Sequence, residues 1–546
     1  MSSIPVVSVS PWAPLRRSVF RGIWLASLSS SIGSAMNDTA AVWTMSTMSA
    51  SPLLLSVMST VSAVPIFFLS LPAGALADVL ERRRILLVAQ SWMLAMAALL
   101  SAAAWLGGIR PWVLLAVAAA LGTGVAFNSP AWSSVMPDLV TREEMPAAVT
   151  LGSLSLNISR AIGPALAGAL IAAFGPAVCF SLNAASFLVV LLTIKRWRPE
   201  KKPAPLRAER FFGALSAACR YAAHAPAMQT VLVRIVAFVL CGVAVTSLLP
   251  IQAVQRLHLP ASKFGILMGA FGCGAIAMAV FGLPRLRRKM KPDASMHLAT
   301  LTLGAVLLGM TMARHLAVLL PVTFAGGGAW IAGISNLSVA GQNAMPAWAR
   351  GRMNALSMTV MQGSIALGGM LWGQATSSLG LTVALAAAGI SLGATTLLGF
   401  KFPLRLPYEL NLDAAAPIAT HSFAQPPQPD DGPIVVTVEY LVPESQCLAF
   451  VAAMKPLRLH RLRDGAVRWS LTQEIGDPVH FVEEFTVESW AEHLRQHERI
   501  AVSDTELHAR ARSFHQGAES PRVRHFIARD VRVPASAIPT PEPVTL

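Results

Sequence analysis

Leu71-Pro-Ala-Gly-Ala-Leu-Ala-Asp78-Val-Leu-Glu81-Arg82-Arg83-Arg84 is a charged island between two long apolar runs, and its reading decides the fold. A basic connection this short joins two membrane-spanning helices on the cytoplasmic side, where Lys and Arg are retained. Gly74, Asp78 and the three arginines Arg82, Arg83 and Arg84 follow one another at close, regular intervals across that connection.

Composition agrees. The 546 residues are 54% hydrophobic and 13% charged, with a mean hydropathy of +0.56. Soluble domains carry about a quarter charged residues, so a polytopic membrane protein is expected. The net charge of +15 would suggest nucleic acid in a soluble chain. Here the arginines sit mostly in short loops and a polar tail, so bilayer orientation explains them and no nucleic-acid partner is expected. The five cysteines show neither C-x-x-C nor metal spacing, and no disulfide framework is expected.

A helix needs about 20 apolar residues to cross a bilayer. Cutting at charged or Pro/Gly-rich breaks predicts spans near 20–48, 53–77, 85–107, 111–136, 147–174 and 176–194. Six more follow, near 228–252, 261–283, 295–313, 315–340, 353–378 and 380–402. The first is too long for a signal peptide and lacks a convincing cleavage site. Basic loops at Arg82–Arg84, Arg142, Lys195–Arg210, Arg285–Lys291, Arg350/Arg352 and Lys401/Arg405 alternate with nearly uncharged ones. Both termini are therefore expected in the cytoplasm, in a bacterial inner membrane.

The two sets of six repeat weakly. Met136-Pro137 matches Met345-Pro346, Gly163-Pro-x-x-x-Gly168 matches Gly368-Gly-x-x-x-Gly373, and Gly282-Leu-Pro-Arg-Leu-Arg-Arg-Lys289 resembles the Asp78 loop. Each pair is about 205–210 residues apart, as two parallel six-helix halves leave behind. The expected organisation is a half over 1–194, a cytoplasmic linker over 195–227 and a second half over 228–405. A Pro-rich linker over 406–432, a soluble module over 433–530 and a disordered tail over 531–546 complete it. Within the linker, Phe211–Tyr221 predicts a short amphipathic helix. In the module, strands are expected at Ile434–Leu441, Ala466–Gln473, His480–Val487 and Arg522–Ala528, with helices at Glu444–Arg463 and Glu488–Arg512. That β-α-β-β-α-β order is ferredoxin-like. The expected fold class is an all-α polytopic membrane protein of 6+6 helices with a small α+β domain.

Several segments together resemble the major facilitator superfamily, in its branch of bacterial drug and siderophore exporters similar to the enterobactin exporter. They are Leu71–Asp78 with its arginines, Asn128-Ser-Pro-Ala-Trp132, Met136-Pro-Asp-Leu139 with Arg142-Glu-Glu, Asn157-x-x-Arg160-x-x-Gly163-Pro164-x-x-x-Gly168, and Asn183-Ala-x-Ser-Phe187. The resemblance implies a secondary transporter exporting a small molecule by alternating access, in exchange for protons and without a cofactor. It implies that Gly74, Asp78, Arg82, Arg83 and Arg84 latch one conformational state. Val79 and Glu81 depart from that loop pattern. It also implies that Gly163, Pro164 and Gly168 form an exporter-type fifth-span motif. Residues 433–530 resemble the antibiotic-biosynthesis-monooxygenase type of dimeric domain through Asp464-Gly-Ala-Val-Arg-Trp469 and Ser489–His497, which implies a homodimer or regulatory module.

Charge within a span usually faces a cavity or a partner, because inserting it near the bilayer centre costs about 2.5–3.5 kcal/mol on insertion scales. Asp38, Arg160 and Arg234 are the candidates, Asp38 for protons and Arg160 for an anionic substrate group. Asn37, Asn128, Asn157, Asn336 and Gln362, with Trp43 and Trp132, are candidate cavity-lining groups. His493 and His497, four residues apart, are too few for a metal unless His460, His515 or His525 comes near. Their charged neighbours predict a solvated face, and no metal site is expected. With no catalytic triad or phosphate loop, no enzymatic role is expected. An importer with the same fold and a membrane-tethered oxygenase are the rival readings.

Overall fold

A computed structural model describes residues 12–49, 51–58, 60–79, 81–141, 144–197, 219–346, 350–404, 427–499 and 502–528. The chain divides into two compact units. One comprises 1–211, 230–342 and 352–406, and the other 212–229, 343–351 and 407–546.

In the first unit the helices are α1 (Ser18–Met48), α2 (Pro52–Met58), α3 (Ala63–Val79), α4 (Arg82–Trp105), α5 (Pro111–Leu139), α6 (Met145–Phe174) and α7 (Pro176–Arg196). The second half has α8 (Pro226–Arg256), α9 (Ala261–Lys289), α10 (Pro292–Met312), α11 (Leu316–Asn343), α12 (Arg350–Leu379) and α13 (Leu381–Lys401). Among the described residues, nine of these are long and apolar enough to cross a membrane. The bent pair α2–α3 adds a tenth. Two further long helices, α1 and α12, are 31 and 30 residues long. Their hydropathy is lowered by Ser, Thr, Asn, Gln and Asp, the residue types a polar passage requires.

The second span, expected to be continuous over 53–77, is broken. The segments Pro52–Met58 and Ala63–Ser70 meet at 46°. Pro65 has no N–H to offer the Val61 carbonyl, and the chain tightens instead through Ala63 N–H to the Thr60 carbonyl and Val64 N–H to the Val61 carbonyl. The core of the first half gathers at the basic-loop ends of its helices, where Phe20, Ile23, Leu86, Val135, Leu151 and Ile194 are buried together.

The second unit holds a four-stranded antiparallel sheet, β1 (Ile434–Leu441), β2 (Ala466–Gln473), β3 (His480–Val487) and β4 (Arg522–Ile527), in the order β2-β3-β1-β4. β1 alternates buried and partly buried residues, and its inward Ile434, Val436, Val438 and Tyr440 pack with Phe450, Met454 and Leu457 of α14 (Cys447–Asp464). The long helix expected over 488–512 is two helices, α15 (Trp490–Glu498) and α16 (Val502–Arg512). α15 ends at Arg499, whose buried guanidinium donates to Glu492 at 2.6 Å and to the Asp464 carbonyl at 2.8 Å. Ser489 caps α15 by accepting from the Glu492 N–H. Most of the central linker, the Pro-rich linker and the tail after 528 lie outside the described residues.

Candidate functional site

Two glycine seams join the halves: along the first, backbones are brought into contact, and along the second, side chains of α2–α3 seat on the glycines of α12. Glycine permits this because any Cβ would intrude. Along α6 and α9, a Cβ on Gly168 would stand 2.8 Å from Gly265 Cα, and one on Gly265 would stand 2.7 Å from the Pro164 carbonyl. Farther along, Gly272 lies against the Arg160 carbonyl. Gly163 turns the opposite way on α6, toward Ala35 and the Ile32 carbonyl of α1. The predicted fifth-span motif thus touches two helices at once, α1 through Gly163 and α9 through Pro164 and Gly168.

The second seam joins α2–α3 to α12. Ser56 Oγ donates to the Gly369 carbonyl at 2.6 Å, Gly363 faces Phe67, and the Ser70 and Thr359 hydroxyls are 2.6 Å apart. Trp43 adds a contact between α1 and α9, its ring 6.0 Å from that of buried Phe264.

Asp38 is exposed on α1. It shares one face of the helix with half-buried Ser27, Ser31 and Ser34, at positions i, i+4, i+7 and i+11. Gly33, on another face, packs against Ser186 and Asn183 of α7, and Ala35 packs on α6, so the serine line belongs to neither contact. These serines escaped sequence reasoning, although their spacing is legible. Asn37 is buried, and its Nδ2 donates weakly to Asp38 at 3.5 Å. Its Oδ1 has no hydrogen-bond partner among the described residues. Half-buried Asn128 accepts from buried Gln90 of α4 at 3.0 Å, and Gln90 is a further polar group not picked out from sequence. Gln362 is half-buried on α12, one residue before the seam glycine Gly363.

The three charged candidates separate. Arg160 is exposed, and among the described residues no carboxylate pairs with it. Arg234 is buried and held: Nη1 donates to Asp293 at 2.9 Å and to the Phe402 carbonyl at 3.1 Å, and Asp293 also accepts from the Leu404 N–H at 2.9 Å. It therefore ties α8, the start of α10 and the end of α13, which differs from the passage-lining place expected of it. Asn336 is likewise engaged, donating to Ser295 of α10 at 2.8 Å.

In the loop motif, Arg83 donates to the Lys195 carbonyl at 2.8 Å, closing α4 onto the end of α7, while Arg84 pairs with Glu81 at 2.7 Å. Its counterpart in the second half, Arg287, donates to Ser335 of α11 at 2.8 Å. No described atom lies within 4 Å of where a Cβ on Gly74 would stand. The side chains of Asp78 and Asn157 lie outside the described residues, although the helices α3 and α6 carry their backbones. A cavity of about 370 Å³ lies among α9, α10 and α11, lined by apolar groups such as Met278 and Phe324. All its lining residues belong to the second half.

The chain matches, over residues 9–532, the family described as transmembrane secretion effector. It belongs to that family of major facilitator transporters. As such it is a multi-pass membrane transporter acting on a small molecule, and not an enzyme. Among curated relatives, the staphyloferrin A transporter of Staphylococcus aureus is 25% identical over 339 residues, covering 62% of this chain and 84% of the relative. The multidrug efflux pump Tap of Mycolicibacterium fortuitum is 25% identical over 295 residues, covering 52% and 71%. Among solved structures, a POT family transporter in complex with 5-aminolevulinic acid aligns with a TM-score of 0.58 at 12% identity, covering 71% of this chain and 96% of that one. A bacterial homolog of the human lysosomal transporter Spinster aligns at 0.54 with 14% identity, covering 72% and 95%. At these identities the solved structures establish the fold.

The second unit carries a buried polar network. Arg463 Nη2 lies 2.9 Å from Asp464, 2.7 Å from Asp504 and 3.2 Å from His460, whose other ring nitrogen is 3.1 Å from that of His508. Burial, then the positive charge of Arg461, His460 and Arg512, pushes His508 from 6.5 down to about 2. A histidine whose folded value is depressed contributes stability that is fully present above its unfolded value and lost as pH falls toward the folded one. The second unit is therefore expected to lose protection progressively below about pH 6.5. Hydrogen exchange of α14 and α16 peptides at pH 7.5 and 5 reads this, and His508→Gln is expected to flatten the difference.

Proposed function

We propose that the chain exports a small anionic molecule by alternating access, with protons moving the other way through Asp38. The observation that carries the substrate class is Arg160: a guanidinium within a span, exposed, and without a carboxylate partner among the described residues. Such a charge is stable in a span when it faces water or a ligand. The serine line ending at Asp38 supports a polar route along α1. The Asn37 carbonyl oxygen beside Asp38 is an acceptor suited to a protonated carboxyl. Export is supported by the fifth-span motif, which couples α1 and α9 through one helix, and by relatives whose names are those of efflux proteins. Among them is macrolide efflux protein A of Streptococcus pyogenes, 23% identical over 175 residues. The basic loops support cytoplasmic termini in a bacterial inner membrane.

The sheet order β2-β3-β1-β4 supports reading the second unit as ferredoxin-like, serving as a dimerisation or regulatory module. Gly74, Asp78 and Arg82–Arg84 are proposed to latch one state of the carrier, with Arg83 anchoring that loop to α7.

Inverted membrane vesicles test direction and coupling together. With a carboxylate-bearing siderophore as probe, an exporter loads such vesicles when their lumen is acidic, and an importer does not. Arg160→Gln is expected to weaken transport of the anionic probe about tenfold while sparing a neutral macrolide, since a hydrogen bond to a charged group is worth about 1.5–3 kcal/mol. Asp38→Asn is expected to abolish the response to the pH gradient. Loading that ignores the gradient in the parent protein would overturn the proton assignment.

A further inference from the structure

The cavity among α9, α10 and α11 is bounded at both ends. Toward one end α9 and α11 touch backbone to backbone, Gly274 against the Phe324 carbonyl and Gly327 against that of Phe271. Toward the basic-loop end, Arg287 of α9 donates to Ser335 of α11, and Asn336 of α11 donates to Ser295 of α10, each at 2.8 Å. Between these limits α9 makes a π turn over Met278–Gly282, an irregularity frequent at functional sites. Gly282 and Gly328 leave parts of the wall without side chains, and about 370 Å³ of largely apolar space results. Leu298, Phe324 and Ala325 line it and are exposed, although they lie within spans. That side of the cavity meets the bilayer, where lipid tails are as apolar as leucine.

Charge gathers at the basic-loop end. The cavity face of α9, carrying Gly274, Met278, Gly282 and Leu286, continues by one turn to Lys289. Arg285, Arg287, Arg288, Lys289 and Lys291 put five basic side chains, all exposed, into seven residues. Asp293 is the one carboxylate between residues 228 and 405, and it is paired with Arg234. None is left in that stretch to neutralise the five.

We propose that this face holds one anionic phospholipid, with an acyl chain in the cavity and its phosphate against Arg288 and Lys289. Basic pockets between spans recognise anionic headgroups in this way. A soluble anion would meet the charges and leave the apolar space unused. A neutral lipid would fill the space and leave the charges unmet. Only a molecule carrying both parts satisfies both. On a different face, Gly265 and Gly272 pack α9 on α6, so the bound lipid bears on a helix of the first seam.

Native mass spectrometry of the full-length protein, released from detergent, tests this with added phosphatidylglycerol or phosphatidylcholine of the same chains. One phosphatidylglycerol per chain is expected to be retained, with at least about tenfold preference over phosphatidylcholine. Arg288→Gln combined with Lys289→Gln is expected to lower that retention about tenfold, since each removes a cation from the headgroup. Ala325→Phe, which fills the exposed side of the cavity, should lower it as much with every charge in place. Leu298→Trp supplies the same obstruction should Ala325→Phe not fold. Lys263→Gln, on an exposed cation near the other end of α9, should leave retention unchanged. Glycerol 3-phosphate, a headgroup without chains, should not displace the lipid. The proposal fails if the parent retains both lipids equally, if glycerol 3-phosphate displaces the lipid, or if Lys263→Gln costs as much as the paired change. It fails equally if retention ignores either the charge variant or the cavity variants.

Discussion

Gly272→Leu is expected to reduce transport about a hundredfold in cells producing it at parental levels. The Gly272 position faces the Arg160 carbonyl and the Ala161 Cα, so a side chain there meets backbone, which cannot swing aside. Overpacking of a tight interface costs about 1–3 kcal/mol, and near the upper end it shifts a two-state equilibrium about a hundredfold. The shift disfavours whichever state closes this seam, and a carrier that must visit both states on each cycle slows accordingly. Gly393→Ala is the control, because a Cβ there would meet no described atom within 4 Å, and its transport should match the parent. Efflux of a probe at matched expression checks both variants. Normal transport by Gly272→Leu would mean that α6 and α9 are not a moving interface.

Asp293→Ala carries the largest expected loss of stability, about 3 kcal/mol, because it strands the Arg234 guanidinium among buried groups. Asp293 is only about a quarter exposed, at 26% of its side chain, against 4% for Arg234, so water compensates little. The variant also removes the acceptor for the Leu404 N–H at the end of the last span. Thermal unfolding in detergent should show the drop. The double change Arg234→Met with Asp293→Leu should recover much of it, since an apolar pair of similar volume leaves no orphan charge. Unchanged stability with lost substrate binding would instead return Arg234 to the transport pathway.

The spans were legible because a run of about 20 apolar residues matches the thickness of a bilayer and little else in a protein. Strands β1, β2 and β3 were legible to the residue, because alternation such as that of Val435–Leu441 puts one side chain in two into the core. What sequence hid was set by partners distant along the chain. Arg234 looks like any intramembrane charge until Asp293, 59 residues away, is folded against it. The division of residues 488–512 into two helices has no glycine or proline to announce it, and the buried Arg499–Glu492 pair marks the end of α15. Pro65 marks the break in the second span, but a proline in an apolar run does not by itself separate a bent helix from a straight one. His493, expected on a solvated face, is buried, and its ring nitrogen meets that of His525, 32 residues away, at 3.0 Å only once β4 pairs with β1.

Two stretches of the carrier's own chain, described over 219–229 and 343–346, group with the second unit. There the Tyr221 hydroxyl donates to the Ala344 carbonyl at 2.8 Å, Arg463 lies over the Tyr221 ring, and Arg220 pairs with Glu492 at 3.4 Å. In sequence, the first leads into α8 and the second precedes α12. Shortening the protein after α13 thus amounts to more than docking a tail: it uncovers the leader of the seventh pass and the bend ahead of the eleventh. Whatever stiffens the appended sheet is spliced by covalent chain to the second half of the pump.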